Sequence, residues 1–390
     1  MQKQVFIIIG AVIVLILVAV WVYLLFFGTP DTANNVFSNL GLNGEEDTSI
    51  VEAPVVEEIP PVVNMERPKL RQLTTKPVAG FAEVLLTASS TPVLYYAEMG
   101  TGHIYTIDLE SGEEVRISGT TIAGANEAVF SEDGKAVAIT SFSNTKNRPL
   151  VAGTVSTTTS TFVEEFSKTV TDFSLTSGHE VLYTTSGAQG LTGYATDLDT
   201  AKEKTIFSIP FTDATIQWGS TAEGSHFVYP KTSYALEGFL YEAKNNTFAR
   251  LPVQGFNFAA KANDSIILYN ASADQKIKSY IYDRETKISS PLDAPILPEK
   301  CLLPEEGFEF VCAYEPTVIT YEFPENWYRG LSNFKDTLWL LDATTMTAES
   351  IVNTTESGRE IDSIKIAVST AGTALFFINK NDNTLWMYEL

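Results

Sequence analysis

The chain has 390 residues, 44% of them hydrophobic and 11% aromatic, enough for two or three domains or one large repeat domain with a sizeable core. Lys+Arg 26 against Asp+Glu 48 leave a net charge of -22, a surface that repels phosphate backbones and argues against nucleic acid as a partner. Two cysteines, Cys301 and Cys312, with no C-x-x-C, are too few for a disulfide scaffold or a cysteine-built zinc site.

Residues 1–4 form a short tail carrying Lys3. Val5 to Phe27 then runs without a charge, long enough as a helix for about 35 Å. The run ends in Leu-Leu-Phe-Phe-Gly, with no small-residue cleavage site. It is expected to be one N-terminal transmembrane α-helix, a retained signal anchor. Lys3 precedes it and no Lys or Arg follows until Arg67, which favours a cytoplasmic N-terminus and an extracytoplasmic remainder, periplasmic or extracellular. Residues 28–66 lack basic residues until Arg67 and carry Glu45, Glu46, Asp47, Pro54, Pro60 and Pro61. That composition predicts an extended acidic linker, a spacer more simply than a docking motif.

From residue 67 to 390 the pattern becomes short alternating runs split by Gly, Asp, Asn and Ser, without sustained helical periodicity. A tight turn followed by an apolar strand recurs, as in SEDGKAVAITS from Ser131 and TSGHEVLYTTS from Thr176. A second signature is an aromatic-rich strand ending in an acid, as in HIYTIDLESG from His103 and TLWMYEL from Thr384. The turns fall at Gly134, Gly178, Gly224, Asp264, Gly307 and Gly372, with a less regular first turn near Ser90. This forty-odd-residue period predicts an all-β, seven-bladed β-propeller of four-stranded blades. The final interval is lengthened by an insertion between Tyr314 and Lys335. The last repeat stops after its third strand, and residues 69–75 (KLRQLTT) form an orphan strand at the start. Pairing the two closes the ring and removes exposed edges.

SEDGKAVAITS, HIYTIDLESGEEVRIS and LRQLTT resemble the WD40-like repeat of periplasmic TolB-type propellers, whose pattern is Ser-Pro-Asp-Gly-Lys, apolar strand, Ile-Tyr-x-x-Asp-Leu, then Arg-x-Leu-Thr. The resemblance covers blades 1 and 2 and the closing strand; the other five blades depart from it, and Glu132 stands in place of the proline. It implies the propeller architecture, and a role as a binding platform or as an accessory domain of a peptidase.

The common catalytic signatures are absent: no G-x-S-x-G, H-E-x-x-H, P-loop or G-x-G-x-x-G. Ser143-Asn144-Thr145-Lys146 matches S-x-x-K, but between strands rather than at a helix start. His103, His179 and His226 fall on separate blades and suit surface or capping roles. Asn379 to Asn383 reads as a turn rather than a cation loop. No metal or cofactor is expected. The acids ending third strands, Asp108, Asp197, Glu242, Asp283, Asp342 and Glu389, suit turn capping.

Two features remain as candidate binding residues. The innermost strands begin with an acid in six of the seven blades: Glu83, Glu127, Asp172, Asp213, Glu299 and Asp362, with Asn257 in blade 5. These carboxylates cap loop amides or pair with cations, or they form an electronegative channel mouth. The blade 6 insertion opens on the same side and is aromatic and exposed by position, with Tyr321, Phe323, Trp327, Tyr328, Arg329 and Phe334. Cys301 and Cys312 flank the turn at Glu306 and Gly307 and would face each other across the hairpin, within reach of a disulfide; a register shift would leave two buried thiols. The expected function is a non-enzymatic envelope propeller binding a protein, peptide or glycan. The alternative is a propeller glycosidase or lyase using channel carboxylates.

Overall fold

The computed structural model describes residues 67–85, 92–142, 148–155, 160–245, 247–273, 276–316 and 323–390, with backbone alone for 148, 160–169, 273 and 276. The segments expected to be the anchor, 5–27, and the linker, 28–66, together with Ser143 to Lys146 and Tyr321, lie outside the described residues. Among the described residues no helix is long and apolar enough to cross a membrane.

The described residues form seven four-stranded antiparallel blades. The chain begins with β1 (Leu70–Gln72). Blade 1 is β2 (Val78–Leu85), β3 (Pro92–Glu98), β4 (Ile104–Asp108) and β5 (Glu114–Arg116). Blade 2 is β6 (Ala125–Phe130), β7 (Ala136–Ser141), β8 (Arg148–Val155) and the first half of β9 (Ser160–Leu175). The second half of β9 opens blade 3, followed by β10 (Glu180–Gly187), β11 (Gly190–Asp197) and β12 (Glu203–Ile209). One long strand therefore serves two blades, pairing with β8 up to Val170 and with β10 from there on. Blade 4 is β13 (Ala214–Gln217), β14 (His226–Pro230), β15 (Glu237–Lys244) and β16 (Thr247–Phe256). Blade 5 is β17 (Ala259–Ala262), β18 (Ile266–Ala273), β19 (Lys276–Asp283) and β20 (Ser289–Leu292).

Blade 6 is β21 (Cys301–Leu302), β22 (Glu309–Tyr314), the short helix α1 (Glu325–Tyr328), β23 (Thr337–Asp342) and β24 (Thr347–Asn353). Blade 7 is β25 (Ser363–Val368), β26 (Ala374–Asn379) and β27 (Thr384–Glu389), and β1 supplies its fourth strand. Leu70, Arg71 and Gln72 stand opposite Tyr388, Met387 and Trp386. Cys301 and Cys312 are opposite one another in the β21–β22 ladder and are joined by a disulfide.

Side chains alternate in direction along each strand, so each sheet presents an apolar face to both neighbouring blades. Tyr96–Tyr105, Tyr183–Tyr194 and Tyr269–Tyr280 are stacked cross-strand pairs at the same place in blades 1, 3 and 5. The acids that end the third strands hold the next turn. Asp108, Asp197, Asp283 and Asp342 each accept backbone N–H groups two and three residues on; these bonds, and for Asp342 first the Thr345 hydroxyl, keep all four carboxyls below their ordinary range. Glu242 pairs instead with Arg284 and Glu389 with Arg71.

Candidate functional site

Of the insertion's aromatic residues among the described ones, Tyr328 is exposed and the others are not. Phe323, Trp327 and Phe334 are buried together with Leu297, and Arg329, at the end of α1, is exposed. The cause is a set of charges that must be covered. Lys300, Asp336 and Asp362 are at most 1% exposed. The Lys300 ammonium lies 2.6 Å from Asp362 and 2.7 Å from Asp336. Trp327 Nε1–H donates to Asp362 Oδ2 at 2.8 Å, and the Phe334 amide donates to the same oxygen at 3.3 Å. The Ser363 amide donates to Asp336. Lys300 and Lys380 lie 5.7 and 4.9 Å from the Trp327 ring centroid, favourable cation–π distances. Burial pushes the Asp336 carboxyl up to about 6, against the pull of Lys300 and with the push of Asp362. Breaking such a set by removing one member costs roughly 3–5 kcal/mol, because a buried charge is left uncompensated. Trp327 and Asp362 thus pin the insertion to its own scaffold.

Tyr328, the next residue, turns the other way. Its hydroxyl donates to Glu299 Oε1 at 2.5 Å, and the Tyr229 hydroxyl donates to the same oxygen at 2.9 Å. Glu299 belongs to the one-turn helix Pro298–Lys300 that precedes β21. Proline opens that turn, and its tight winding sends Lys300 toward blade 7 and Glu299 toward blade 4. Glu299 Oε2 is buried without a hydrogen-bond partner among the described residues. Burial raises the Glu299 carboxyl, and the two hydroxyls work against that. Nearby, burial lowers Lys261 of β17 to about 8 although the Glu299 charge favours its protonation. Its ammonium donates to the Cys301 carbonyl at 2.5 Å. Blades 4, 5 and 6 therefore meet at a polar cluster of Tyr229, Lys261, Glu299 and Tyr328.

The six inner-strand acids do not form one ring. Glu127 and Asp172 share a level, opposite Thr140 and Thr184. Glu83 stands opposite Leu94, nearer the first turn of its blade. Asp213 and Asp362 precede their strands, and Glu299 lies in a turn. Bulges beside Val78, Ala125, Thr184 and Ile364 shift the registers that simple alternation assumes. Five of the six instead bind a different blade. Asp172 accepts from Trp218 Nε1 at 2.7 Å, and Glu83 accepts the Thr370 amide. Glu127 lies 3.3 Å from Lys365, Asp362 holds Lys300, and Glu299 holds Tyr229. Asp213 pairs with Lys231 within blade 4 at 2.9 Å, in the open.

The histidines are separate. His103 lies 2.8 Å from Thr121, His179 lies 3.1 Å from Asp133, and the buried His226 bridges Gly219 N–H and the Ala222 carbonyl. Among the described residues no three His, Cys, Asp or Glu groups are placed to hold a metal ion. Lys300, Asp336, Tyr229 and Lys261 were missed in the sequence. The clue for Lys300 was the adjacent charged pair Glu299-Lys300 directly after the apolar run Pro295 to Pro298.

No family model matches the chain, and no curated protein matches it in sequence. Its fold is similar to the β-propeller domain of the Trilobed protease from Pyrococcus furiosus, with 11% identity, a TM-score of 0.50, and coverage of 80% of this chain and 95% of that one. It is also similar to the Cps50 (Swd1) β-propeller domain of Myceliophteria thermophila, with 9% identity, a TM-score of 0.52, and coverage of 82% and 99%. At such identities the likeness shows a shared propeller fold.

Proposed function

We propose that the protein is a single-pass, membrane-anchored propeller of TolB-like repeat type, displayed outside the cytoplasm, that binds an envelope protein, peptide or glycan without catalysing a reaction. The observation that carries the reading is the placing of exposed large apolar side chains. Phe142, Tyr234, Leu236 and Leu331 lie on connections between second and third strands, and Phe256 at the end of a fourth strand; their exposures run from 46% to 73%. In a propeller these connections share one face, the face of the Tyr328–Glu299 cluster. Tyr234, Leu236 and Phe256 also belong together, since the Asn257 amide donates to the Ser233 carbonyl at 2.8 Å and Glu237 stands opposite Phe256. Large exposed apolar groups gathered on one face fit the centre of a partner interface. The charge-free run from Val5 to Phe27 and the acidic linker 28–66 support display at a distance from a bilayer.

The test is capture from solubilised membranes and cell-wall glycans by the full-length protein, comparing the native chain with Tyr234→Ser/Leu236→Ser. A partner retained by the native chain and lost by the variant supports the reading. Equal retention overturns it. Steady turnover of a glycan would instead make the protein a glycosidase or lyase.

A further inference from the structure

A second space against the described residues lies away from the Tyr328–Glu299 cluster. It is a cavity of about 680 Å³ between the inner strands of blades 7, 1 and 2. β25, β2 and β6 are the edge strands of their sheets, so among the described residues no strand pairs with the backbone that faces this space. The walls reach the first turns of blades 2 and 7 through Glu132 and Thr370, so the cavity lies toward the face opposite the blade 6 insertion. Its surface is of two kinds. Phe81, Val129 and Val368 supply apolar wall, Val368 being 49% exposed. Glu83, Glu127 and Glu132 supply acids, and Lys365 is the one cation among the lining residues. Lys365 sits at a β-bulge with φ of 51°. From there its ammonium spans blade 1, 3.3 Å from the Ala79 carbonyl and 3.3 Å from Glu127.

We propose that this cavity binds an extended, basic peptide segment, independently of the site over blades 4 to 6. Three observations select that occupant. The volume is that of a ligand site. Edge strands offer main-chain groups to an extended chain, which is how peptides add to sheets. Three carboxylates against one ammonium, within a chain of net charge -22, favour cationic over anionic side chains, while the apolar wall accommodates the alternate residues.

The experiment measures fluorescence anisotropy with full-length protein in detergent and three labelled, capped hexapeptides that alternate valine with lysine, threonine or glutamate. The lysine peptide should bind saturably and the glutamate peptide at least about ten-fold more weakly. Glu83→Gln/Glu127→Gln, which keeps an acceptor for Thr370, should weaken the lysine peptide by about ten-fold or more. Val368→Arg, at an exposed wall position, should abolish binding. Glu285→Gln/Glu349→Gln, which removes two exposed acids elsewhere, should leave it unchanged, as should Tyr234→Ser/Leu236→Ser. The proposal is overturned if no peptide binds saturably, if the glutamate peptide binds as well, or if Val368→Arg has no effect. Equal losses in the two acid-to-amide pairs overturn it too, since they mean attraction by net charge alone.

Discussion

Tyr328 and Glu299 meet at 2.5 Å, hydroxyl to carboxylate, although one comes from the insertion of blade 6 and the other from the turn that opens the blade. Tyr229 of blade 4 shares the same oxygen. The contact ties the insertion to the far side of blade 5, and the second carboxylate oxygen stays buried without a hydrogen-bond partner among the described residues. Tyr328→Phe removes one of two donors to a buried carboxylate and should cost about 1–2 kcal/mol of stability. Glu299→Gln keeps an acceptor for both hydroxyls and should cost less than Glu299→Ala. Urea unfolding of the three variants checks the order; Glu299→Ala proving the mildest would show that the cluster does not hold the blades.

The Trp327 indole N–H is the link between the insertion and blade 7. Trp327→Phe retains most of the apolar contact with Phe323 and Phe334 but strips a donor from Asp362, which is 0% exposed. A loss of about 1–3 kcal/mol is expected. Proteolysis should then cut within residues 315–336 before the blades open. Cleavage at the native rate would mean that the bond is dispensable.

Asp336 sets a pH dependence whose sign is fixed by its environment. Its folded carboxyl stands at about 6, above the usual carboxylate value of the unfolded chain. The folded state therefore binds the extra proton between roughly pH 6 and pH 4, so this group's contribution to stability rises as pH falls through that window. It is lost again as pH rises through 6. The turn aspartates act oppositely and withdraw stability only below the ordinary carboxylate range. Lowered histidines such as His226 act the other way in this window, so the expected signature is differential: the urea midpoint of the native chain should rise relative to that of Asp336→Asn on going from pH 7 to pH 5. The same slope in both would assign the effect to another group.

The propeller was legible in the sequence because its turns demand particular backbones. Gly134, Gly307 and Gly372 all adopt positive φ, and in the equivalent turn of blade 3 His179 takes that conformation beside Gly178. The cross-strand tyrosines and capping aspartates recur with them. The shared strand β9 was not legible, because no glycine or proline interrupts Ser160 to Leu175 to mark a blade boundary. The site was harder still. Trp327 looked exposed because insertions usually are, and its burial depends on Lys300, Asp336 and Asp362, which come from three segments and meet only in space. That the inner-strand acids cap amides or pair with cations was legible, but which blade each one reaches was not: one bulge moves a side chain along the channel, and alternation carries no trace of it.

The disulfide gives a prediction of its own. Cys301 and Cys312 are buried, opposite one another and bonded, with a sequence separation of 11. A loop of that size stabilises by about 2–3 kcal/mol through the unfolded chain. Freshly isolated protein should show no free thiol by non-reducing mass spectrometry, and reduction should lower the melting temperature by several degrees. Two free thiols in native material would overturn the bond.

Closure of the ring is the feature on which the rest of the fold depends. β1 gives blade 7 its outer strand, and side chains reinforce the backbone ladder. Arg71 pairs with Glu389, and the Thr74 hydroxyl accepts the Leu385 amide at 3.0 Å. Without β1, β27 becomes an exposed edge carrying Trp386 and Tyr388, a template for pairing with other chains. Excising residues 69–75 from the full-length protein should therefore lower the melting temperature and promote association, seen as concentration-dependent light scattering. Arg71→Ala should do less, since it removes one ion pair, worth up to about 1 kcal/mol at a partly exposed site, while the backbone ladder stays. A synthetic peptide of residues 69–75 added in excess should partly restore the excised protein, because the missing strand can return in trans. An excised protein that melts like the native chain would place the closure of the ring elsewhere.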